Sequence, residues 1–457
     1  MANNELMGHP KGLFILFFTE MWERFSFYGI RAILVLYMVD KIANGGFGWT
    51  DSKALMVLGI FQMSCYLTAI PGGMIADRWL GARKSVWFGC LFIMLGNFFL
   101  VVPQEWSFFT GLTLIALGGG GLKPNISTIL GRLYKDGDPR QESAFSIFYM
   151  GINVGAFLSG LVVGYIALKY GWHNGFLASG IGMLFGQFLY IWGQRFLRHT
   201  DAVVTQTAEG APRQPLTSAE WRRIGVIVFS FVSVIVFWAA FEQSGGLLNL
   251  YADRFTDRVI GPWTVPTGIT EYCKEHGINI LKPVIGPWTV PTPWFQSLNP
   301  LYIVALAPLM AMLWPWLAKR GKNPHAIVKM GVGTVIQGLG YLFMVAAVLQ
   351  RDASAANQSS MVWVALVYLS CTIGELWLSP VALSFITATA PKQMTSLIMG
   401  CYLAVTGISG YLASRIGSCA EGHGEFSVFM GLVIATTALG LIQLAFSKKI
   451  IRTAEQR

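Results

Sequence analysis

The sequence predicts an all-α polytopic membrane protein with about twelve transmembrane helices. Of its 457 residues, 54% are hydrophobic and 12% are charged, and the mean hydropathy is +0.54. Soluble globular domains carry about 25% charged residues. Apolar runs of about 20 residues, the length that crosses the hydrocarbon core of a bilayer, recur roughly twelve times. These observations exclude a soluble globular protein and favour a chain that spans the membrane repeatedly.

The first and last of these runs bear on the topology. The first, from about Leu13 to Tyr37, contains internal charges and exceeds the apolar core of a signal peptide, so we expect it to remain in the mature protein. The last extends from about Phe426 to Phe446. An even number of spans puts both termini on one side, where the Lys and Arg residues of the predicted loops concentrate. We therefore predict cytoplasmic termini and, because no eukaryotic targeting signal is present, a bacterial inner (plasma) membrane.

The formal net charge of +10 arises from these loops. A nucleic-acid partner would need basic and aromatic residues clustered on a soluble module, and no stretch of adequate length has that character. The six cysteines form no CxxC or Cys/His ligand pattern. We expect no nucleic-acid partner, no metal and no cofactor.

A hydrophilic stretch at residues 200–220 divides the predicted spans into two sets of about six. Residues 1–199 are interpreted as an N-terminal six-helix bundle and residues 221–457 as a C-terminal one, with an extracellular loop at about 255–298. Two such bundles around a central cavity resemble the major facilitator superfamily, whose halves expose a midplane site to each side in turn. The stretch is too short for an extra helix pair between the bundles.

The connection between the second and third spans reads GGMIADRWLGARKS. Its glycines allow a tight turn, and we expect Asp77 to face Arg78, Arg83 and Lys84. This loop resembles the cytoplasmic loop signature of the major facilitator superfamily, which predicts a gate here. The alternative is a loop that is basic only because it sets the topology.

Charged residues line one face of the first predicted helix. Glu20, Glu23, Arg24 and Arg31 are spaced so that all four fall on one stripe, with Tyr28 beside it. A charged side chain at the bilayer centre costs roughly 2.5–3.5 kcal/mol on insertion scales. The stripe therefore predicts a polar cavity. Alternatively, Glu20, Glu23 and Arg24 neutralise one another as an ion network that only fixes helix packing.

Isolated charges recur in later apolar spans. Lys123 joins Arg31 in the N-terminal half, whereas Glu242 and Glu375 belong to the C-terminal half. A zwitterion fits between such opposite signs, and Asn153 and Asn299 supply amides that both donate and accept hydrogen bonds. Aromatic residues are candidates for the cavity walls: Tyr28, Tyr66, Trp238, Trp377 and Tyr402.

Two motifs make the resemblance specific. The first helix reproduces the ExxERF signature of the proton-coupled oligopeptide transporter (POT/PTR) family, and FSIFYMGINVGAF in the fifth span resembles the second signature of that family. The residues that match are Glu20, Glu23, Arg24, Phe25, Tyr28, Gly29, Phe145, Phe148, Tyr149, Asn153, Gly155 and Phe157. The likeness covers nearly the whole chain and implies a bacterial di-/tripeptide transporter of the major facilitator superfamily.

The resemblance also implies roles for individual residues. Proton coupling would involve Glu20, Glu23, Arg24, Lys123 and Glu242. Arg31 and Lys123 would bind the peptide carboxylate, and Glu375 with Asn153 and Asn299 the amino end. Glu242 would also pair with Arg31 across the outer gate. The chain departs from the pattern at Phe27 and Tyr402, where the family often has tyrosine and tryptophan, and this predicts altered side-chain preference.

Together these observations predict a symporter that imports di- and tripeptides with protons, acts as a monomer in the bilayer and is not an enzyme. One alternative is a transporter of the same fold for another solute, such as nitrate or a drug. Another is an intramembrane enzyme, but all six histidines fall at predicted loops or termini and no HxxxD or GxSxG pattern occurs. A role as a scaffold or receptor would not explain why both bundles contain charged residues within their membrane spans.

One segment of the outer loop is duplicated. The sequence VIGPWTVPT occurs at Val259–Thr267 and again at Val284–Thr292. Its Pro, Gly and Thr content argues against a membrane span. We predict a structured outer loop, with a binding module as the alternative.

Overall fold

The computed structural model describes residues 5–135, 138–200, 216–264, 271–272, 274–276, 284–391 and 394–455, and these are mostly helical. The helices, in chain order, are α1 Lys11–Val39, α2 Asp51–Leu67, α3 Ala69–Ile75, α4 Ala82–Val101, α5 Glu105–Arg132, α6 Arg140–Tyr170, α7 Trp172–Leu197, α8 Ser218–Phe241, α9 Leu247–Phe255, α10 Leu298–Lys319, α11 Ala326–Gly340, α12 Leu342–Ala353, α13 Met361–Thr389, α14 Thr395–Ser418, α15 Ala420–Ala445 and α16 Ser447–Glu455. The strands have two residues each: β1 Glu5–Leu6, β2 His9–Pro10, β3 Thr256–Asp257, β4 Val259–Ile260, β5 Trp263–Thr264, β6 Val284–Ile285, β7 Trp288–Thr289 and β8 Ser359–Ser360.

Ten helical segments have the length and hydropathy of a membrane span. Helices α1 and α5, with 29 and 28 residues, are not among these ten but are long enough to cross, so the described part of the chain contains twelve helical segments of membrane-spanning length. Three of the twelve are built from two consecutive helices each: α2 with α3, α8 with α9, and α11 with α12. This architecture agrees with the all-α polytopic class that the sequence predicts.

The second half begins slightly earlier than the sequence indicates. The linker assigned to residues 200–220 lies largely outside the described residues, but α8 already starts at Ser218. Thr217 caps it by accepting a hydrogen bond from the backbone N–H of Glu220, whose carboxylate accepts one from the N–H of Thr217 in return. This reciprocal pair satisfies two of the backbone donors left free at a helix start, so the helix includes residues that polarity alone would assign to the linker.

Within residues 11–197, α1 lies in the middle of the packing. It contacts α6 and α7, while α4 packs along α5 and α7. Close approach between α5 and the junction of α2 with α3 depends on Gly120, because a Cβ there would collide with the carbonyl of Thr68. Thr68 Oγ1 also donates to the carbonyl of Ala116, 2.7 Å away. Residues 218–455 have their own core, in which α11 packs against α13 and α15.

The two halves meet along α2 and α14, and along α6 and α10. Several polar contacts join their outer ends. The guanidinium of Arg254 on α9 forms a two-pronged ion pair with Asp51 at the start of α2, with N–O distances of 2.5 and 2.7 Å. The side-chain amide of Asn249 donates to the carbonyl of Ala32 at 3.0 Å. These contacts hold together the ends of the two halves that lie on the side of the duplicated loop, which we call the outer side.

The duplicated VIGPWTVPT segments pair with each other. Strand β4 of the first copy lies antiparallel to β7 of the second, and β5 of the first lies antiparallel to β6 of the second. Val259 stands opposite Thr289, and Thr264 stands opposite Val284, so the same two residue types meet at both ends of the ladder. The repeat is therefore self-complementary, and its described residues form the structured outer loop that the sequence predicts.

We expect Gly120→Ala to destabilise the protein, because the added methyl group meets the fixed carbonyl of Thr68. Overpacking of this kind typically costs about 1–3 kcal/mol. Thermal unfolding in detergent, followed by tryptophan fluorescence, should show a lower melting temperature. The matched control is Gly225→Ala on α8, where an added Cβ meets nothing within 4 Å. Equal melting temperatures for the two variants would contradict this account of the packing.

Candidate functional site

A polar cavity lies between the two halves. Helices α1 and α6 contribute one wall, and α10, α13 and the turn after α8 contribute the other. The lining contains one arginine, one glutamate, two asparagines, three serines, one glutamine and several aromatic and apolar residues: Tyr28, Arg31, Tyr149, Ile152, Asn153, Ala156, Ser159, Phe241, Ser244, Gln296, Asn299, Pro300, Ile303, Tyr368, Glu375 and Ser379. The sequence-predicted residues Tyr28, Arg31, Asn153, Asn299 and Glu375 therefore face one cavity.

A second lobe adjoins this cavity and shares Tyr149, Glu375 and Ser379 with it. Its walls are mainly aromatic and apolar. They include three residues that the sequence proposed as wall residues and two that it did not: Tyr66, Trp238, Tyr402, Met310 and Trp314. Trp377, also proposed as a wall residue, packs edge-on against Trp314 with ring centroids 4.9 Å apart. The site thus combines a polar chamber with a roomy apolar one.

An ion pair between the two halves closes the outer end of the polar chamber. Arg31 Nη2 of α1 donates to Glu242 Oε2 at 2.7 Å and to Ser244 Oγ at 2.8 Å. Gln62 of α2 donates to the same carboxylate oxygen at 2.9 Å. The helix α8 ends at Phe241, and the following 3-10 turn brings Glu242 and Ser244 to the same guanidinium. A buried pair with added hydrogen bonds resists opening, because separating it leaves a charge unpaired in a poorly solvated place.

The acidic pole of the chamber lies on α13. Glu375 Oε2 accepts a hydrogen bond of 2.9 Å from the side-chain amide of Asn299, which also donates to Thr372 Oγ1 at 3.0 Å. No cation lies within ion-pair distance of this carboxylate among the described residues. Across the chamber, the amide of Asn153 donates to the carbonyl of Tyr149 one turn earlier on α6. Glu375 is therefore oriented by an amide and remains available to a cationic group in the cavity.

The charge cluster of α1 is compact. Arg24 Nε lies 2.7 Å from a carboxylate oxygen of Glu20 and 2.7 Å from one of Glu23. All three side chains are largely shielded from solvent. Their exposed fractions are 11% for Arg24, 4% for Glu20 and 1% for Glu23. Glu20 Oε2 accepts no hydrogen bond from the described residues, whereas Glu23 Oε2 is the oxygen that lies 2.7 Å from Arg24 Nε. One guanidinium thus faces two carboxylates of its own helix.

Lys123 does not join that cluster through a direct ion pair. Its ammonium instead lies over two aromatic rings, 4.4 Å from the ring centroid of Phe27 and 5.1 Å from that of Tyr66. Aromatic faces attract a cation, and more strongly where water is excluded. Lys123 is not among the residues that line the two chambers, and the sequence did not predict that Phe27 would be one of the rings beneath its ammonium.

The loop between α3 and α4 differs from the sequence interpretation. Asp77 and Arg78 are exposed on the π-helical turn Ala76–Leu80, and Asp77 forms no ion pair within 4.0 Å in the described part of the chain. Arg83 instead donates to Gln194 Oε1 of α7, at 2.9 Å from its Nε. The turn ends at Gly81 with φ 76°, a conformation that glycine adopts readily. The expected approach of Asp77 to Arg83 is therefore wrong for this structure, because the guanidinium of Arg83 donates to the side chain of Gln194 instead.

The sequence did not identify every residue that lines the site. Gln62, Ser244 and Gln296 reach the chamber or its outer closure, although none of them is charged. A lone glutamine within an apolar span was the signal available for Gln62, and proximity to Glu242 was the signal for Ser244. Serines such as Ser159 and Ser379 have no comparable signal, because small polar residues also occur throughout helix interfaces.

No group of three or more potential metal ligands occurs among the described residues. The site has buried charges of both signs, a polar chamber and an apolar lobe between two helical halves, and none of its described polar pairs is a base beside a nucleophile. These features define a membrane transporter with the fold of the major facilitator superfamily, in which a solute occupies a cavity between two bundles.

Comparison with known proteins gives the family. The model of the POT family matches residues 52–207 and 271–424, which together exceed half of the chain. The chain belongs to the POT family. The matched ranges begin after α1, so the ExxERF signature supports the same assignment independently. This family and the named relatives are transporters, which disfavours the intramembrane-enzyme alternative.

Named relatives and solved structures agree with this assignment. The chain is 33% identical to the peptide transporter YePEPT of Yersinia enterocolitica, over 90% of this chain and 88% of that protein. It is 31% identical to a di-/tripeptide transporter of Lactococcus lactis subsp. cremoris, over 97% and 96% of the two chains. The crystal structure of peptide transporter POT in complex with sulfate superimposes with a TM-score of 0.87 at 31% identity, covering 98% of this chain and 96% of that one.

We expect Glu242→Gln to open the outer closure, because the variant removes the charge that pairs with the buried guanidinium of Arg31. A cysteine at Ser159, which is buried in the cavity wall, reports this opening in a cysteine-free background. A membrane-impermeant thiol reagent applied from outside should label it about tenfold faster, since about 1.4 kcal/mol changes an equilibrium constant tenfold.

The matched control is Glu421→Gln. Glu421 is an exposed carboxylate that also joins the two halves, accepting a hydrogen bond of 3.1 Å from the backbone of Ser52. Solvent-exposed contacts contribute little, so its labelling rate should stay near that of the parent. Equal rates for both variants would exclude the Arg31–Glu242 pair as the outer closure.

Proposed function

We propose that this protein is a proton-coupled symporter that imports di- and tripeptides by alternating access. One observation carries the proposal: a guanidinium from the first half and an amide-oriented carboxylate from the second half, Arg31 and Glu375, face the same cavity. A short peptide presents a carboxylate and an ammonium at its two ends. The site therefore matches the charges that every short peptide has in common, whatever its side chains.

The proposed binding mode uses the two chambers differently. The peptide carboxylate pairs with Arg31 and with Lys123, whose ammonium has aromatic faces rather than a carboxylate as its nearest partners. The peptide ammonium binds Glu375, with Asn299 and Asn153 donating or accepting at the adjacent backbone. Peptide side chains occupy the apolar lobe beside Trp238 and Tyr402, where size and shape rather than charge decide the fit.

Proton coupling follows from the arrangement of the pairs. A proton on Glu242 removes the charge that holds Arg31, so the outer closure loosens and the guanidinium becomes free to bind a carboxylate. The second proton site is the Glu20–Glu23 pair, where two carboxylates share the guanidinium of Arg24. Peptide and proton thus favour the same rearrangement, and an inward proton gradient drives uptake.

Relatives support the substrate class. The two named above are described as a peptide transporter and a di-/tripeptide transporter. A mutant of peptide transporter POT with alafosfalin bound superimposes on this chain with a TM-score of 0.87 at 32% identity, covering 99% and 97% of the two chains. The proposal further includes function as a monomer in a bacterial inner membrane, with cytoplasmic termini and the Asp77, Arg78 and Arg83 loop at the inner gate.

Uptake by proteoliposomes tests the proposal. Radiolabelled dialanine should accumulate when an inward proton gradient is imposed and should only equilibrate without one. Competition should require both ends of the peptide: unlabelled dialanine should compete, whereas N-acetyl-dialanine and dialanine amide should compete poorly, because each lacks one of the two charges. Undiminished competition by both blocked peptides would refute the assignment of Arg31 and Glu375 to the peptide ends.

Glu242→Gln separates coupling from binding. The variant carries no titratable group at this position, so we expect proton-driven accumulation to be lost while exchange of internal for external dialanine persists. Both quantities are measured in the same vesicles, with Glu421→Gln as the control for an exposed carboxylate. Unchanged accumulation would remove Glu242 from the coupling scheme, and loss of both activities would place it in peptide binding or folding instead.

A further inference from the structure

The turn Thr292–Ser297, a 3-10 helix that leads into α10, docks onto α6 of the other half. The indole of Trp294 donates to the carbonyl of Leu161 at 3.0 Å, and Ser297 Oγ donates to the carbonyl of Phe157 at 2.8 Å. These contacts cross between the two halves, as the Arg31–Glu242 pair does. The turn is therefore a second outer closure, which we call the docking turn.

Two glycines on α6 form the seat of the docking turn. Gly160 and Gly164 are four residues apart and so share one helix face. A Cβ at Gly164 would lie 2.5 Å from Pro293 Cβ, and one at Gly160 would collide with Ser297 Oγ. The absence of both side chains lets the turn reach the backbone of α6, as small residues do in membrane helix interfaces.

Gln296 belongs to the same turn but lines the polar cavity. With Asn299 and Ile303 it forms a stripe at positions i, i+3 and i+7, all of which line that cavity. Its Nε2 is buried and forms no hydrogen bond with any described residue. Gln296 thus lies about one turn outward from the amide that orients Glu375, on the side where Arg31 and Glu242 meet.

An unpaired buried amide nitrogen is costly, and most buried polar groups in proteins have a partner. A primary amide donates to carbonyl or carboxylate oxygens. We infer that Gln296 is a substrate-binding residue that donates a hydrogen bond to a backbone oxygen of the bound peptide. This inference rests on the proposed function. Because the same turn is docked on α6, a peptide bound to Gln296 also stabilises the closed outer face.

The geometry gives Gln296 two measurable effects. Loss of its donor weakens peptide binding, and it also uncouples peptide binding from closure of the docking turn. Gln296→Met removes the donor while keeping a long unbranched side chain. We expect the KM for dialanine to rise about tenfold, the effect of losing one hydrogen bond to a polar group in a shielded site.

The second readout is the distance between α6 and α10. Spin labels at Val162 and Leu301, both exposed, report it in a cysteine-free background. In the parent protein, dialanine should shift the distance distribution towards its shorter component. In Gln296→Met the shift should be lost while the distribution without peptide stays unchanged. Val304→Ala, an exposed position on α10, is the matched control and should keep both the KM and the shift.

The outcomes are distinct. A parental KM and a parental distance shift in Gln296→Met would overturn the inference, as would a changed distribution without peptide, which would indicate a packing role. Gln296→Glu replaces the donor with an acceptor and should also raise the KM, so a parental value there would count against it as well. If the parent itself neither binds nor transports dialanine, the proposed function fails rather than the role of Gln296.

Discussion

The structure depends on one constraint, which is the cost of holding charged groups where water is scarce. Each charge of the α1 stripe meets this cost in a different way. Arg24 forms ion pairs with two carboxylates of its own helix, whereas Arg31 forms an ion pair with Glu242 of the other half of the molecule. The first arrangement lies within one half, whereas the second joins the two halves. The same chemistry therefore yields an ion cluster within α1 and, one arginine further along the same helix, an ion pair that joins the two halves.

The outer face is closed by contacts of two kinds. The Arg31–Glu242 pair is ionic, so the charges of its two side chains decide its strength. The docking turn on α6 responds to shape, because glycines admit it and backbone carbonyls receive it. The duplicated hairpin lies between these elements in sequence, following α9 and leading into the docking turn. Its two copies pair with each other, so both connections of the outer loop are tied together at the surface.

Much of this site could be predicted from the sequence, because intramembrane charges are rare and conspicuous. Glu242 and Glu375 stood out in apolar runs, and the structure brings both to the cavity or its closure. Uncharged partners gave weaker signals. Gln296 looks like an ordinary loop residue until the 3-10 turn places it on the cavity stripe with Asn299. The expected approach of Asp77 to Arg83 failed for a related reason, since the competing acceptor, Gln194, lies more than a hundred residues away in the chain.

The sequence by itself determined the class of protein, because hydropathy, span length and the spacing of charges follow directly from the order of residues. It also determined the family through the ExxERF helix and the fifth-span motif. The resemblance implied the pair of Arg31 with Glu242, but spacing and composition alone left open which opposite charges meet, and the tertiary structure shows it. Arg31 could have paired with Glu375 or Glu242, and the turn after α8 brings Glu242 to it while Asn299 holds Glu375. The physical reason is that the sequence shows which charged side chains must be buried, whereas the packing of helices distant in sequence determines which opposite charge lies beside each of them.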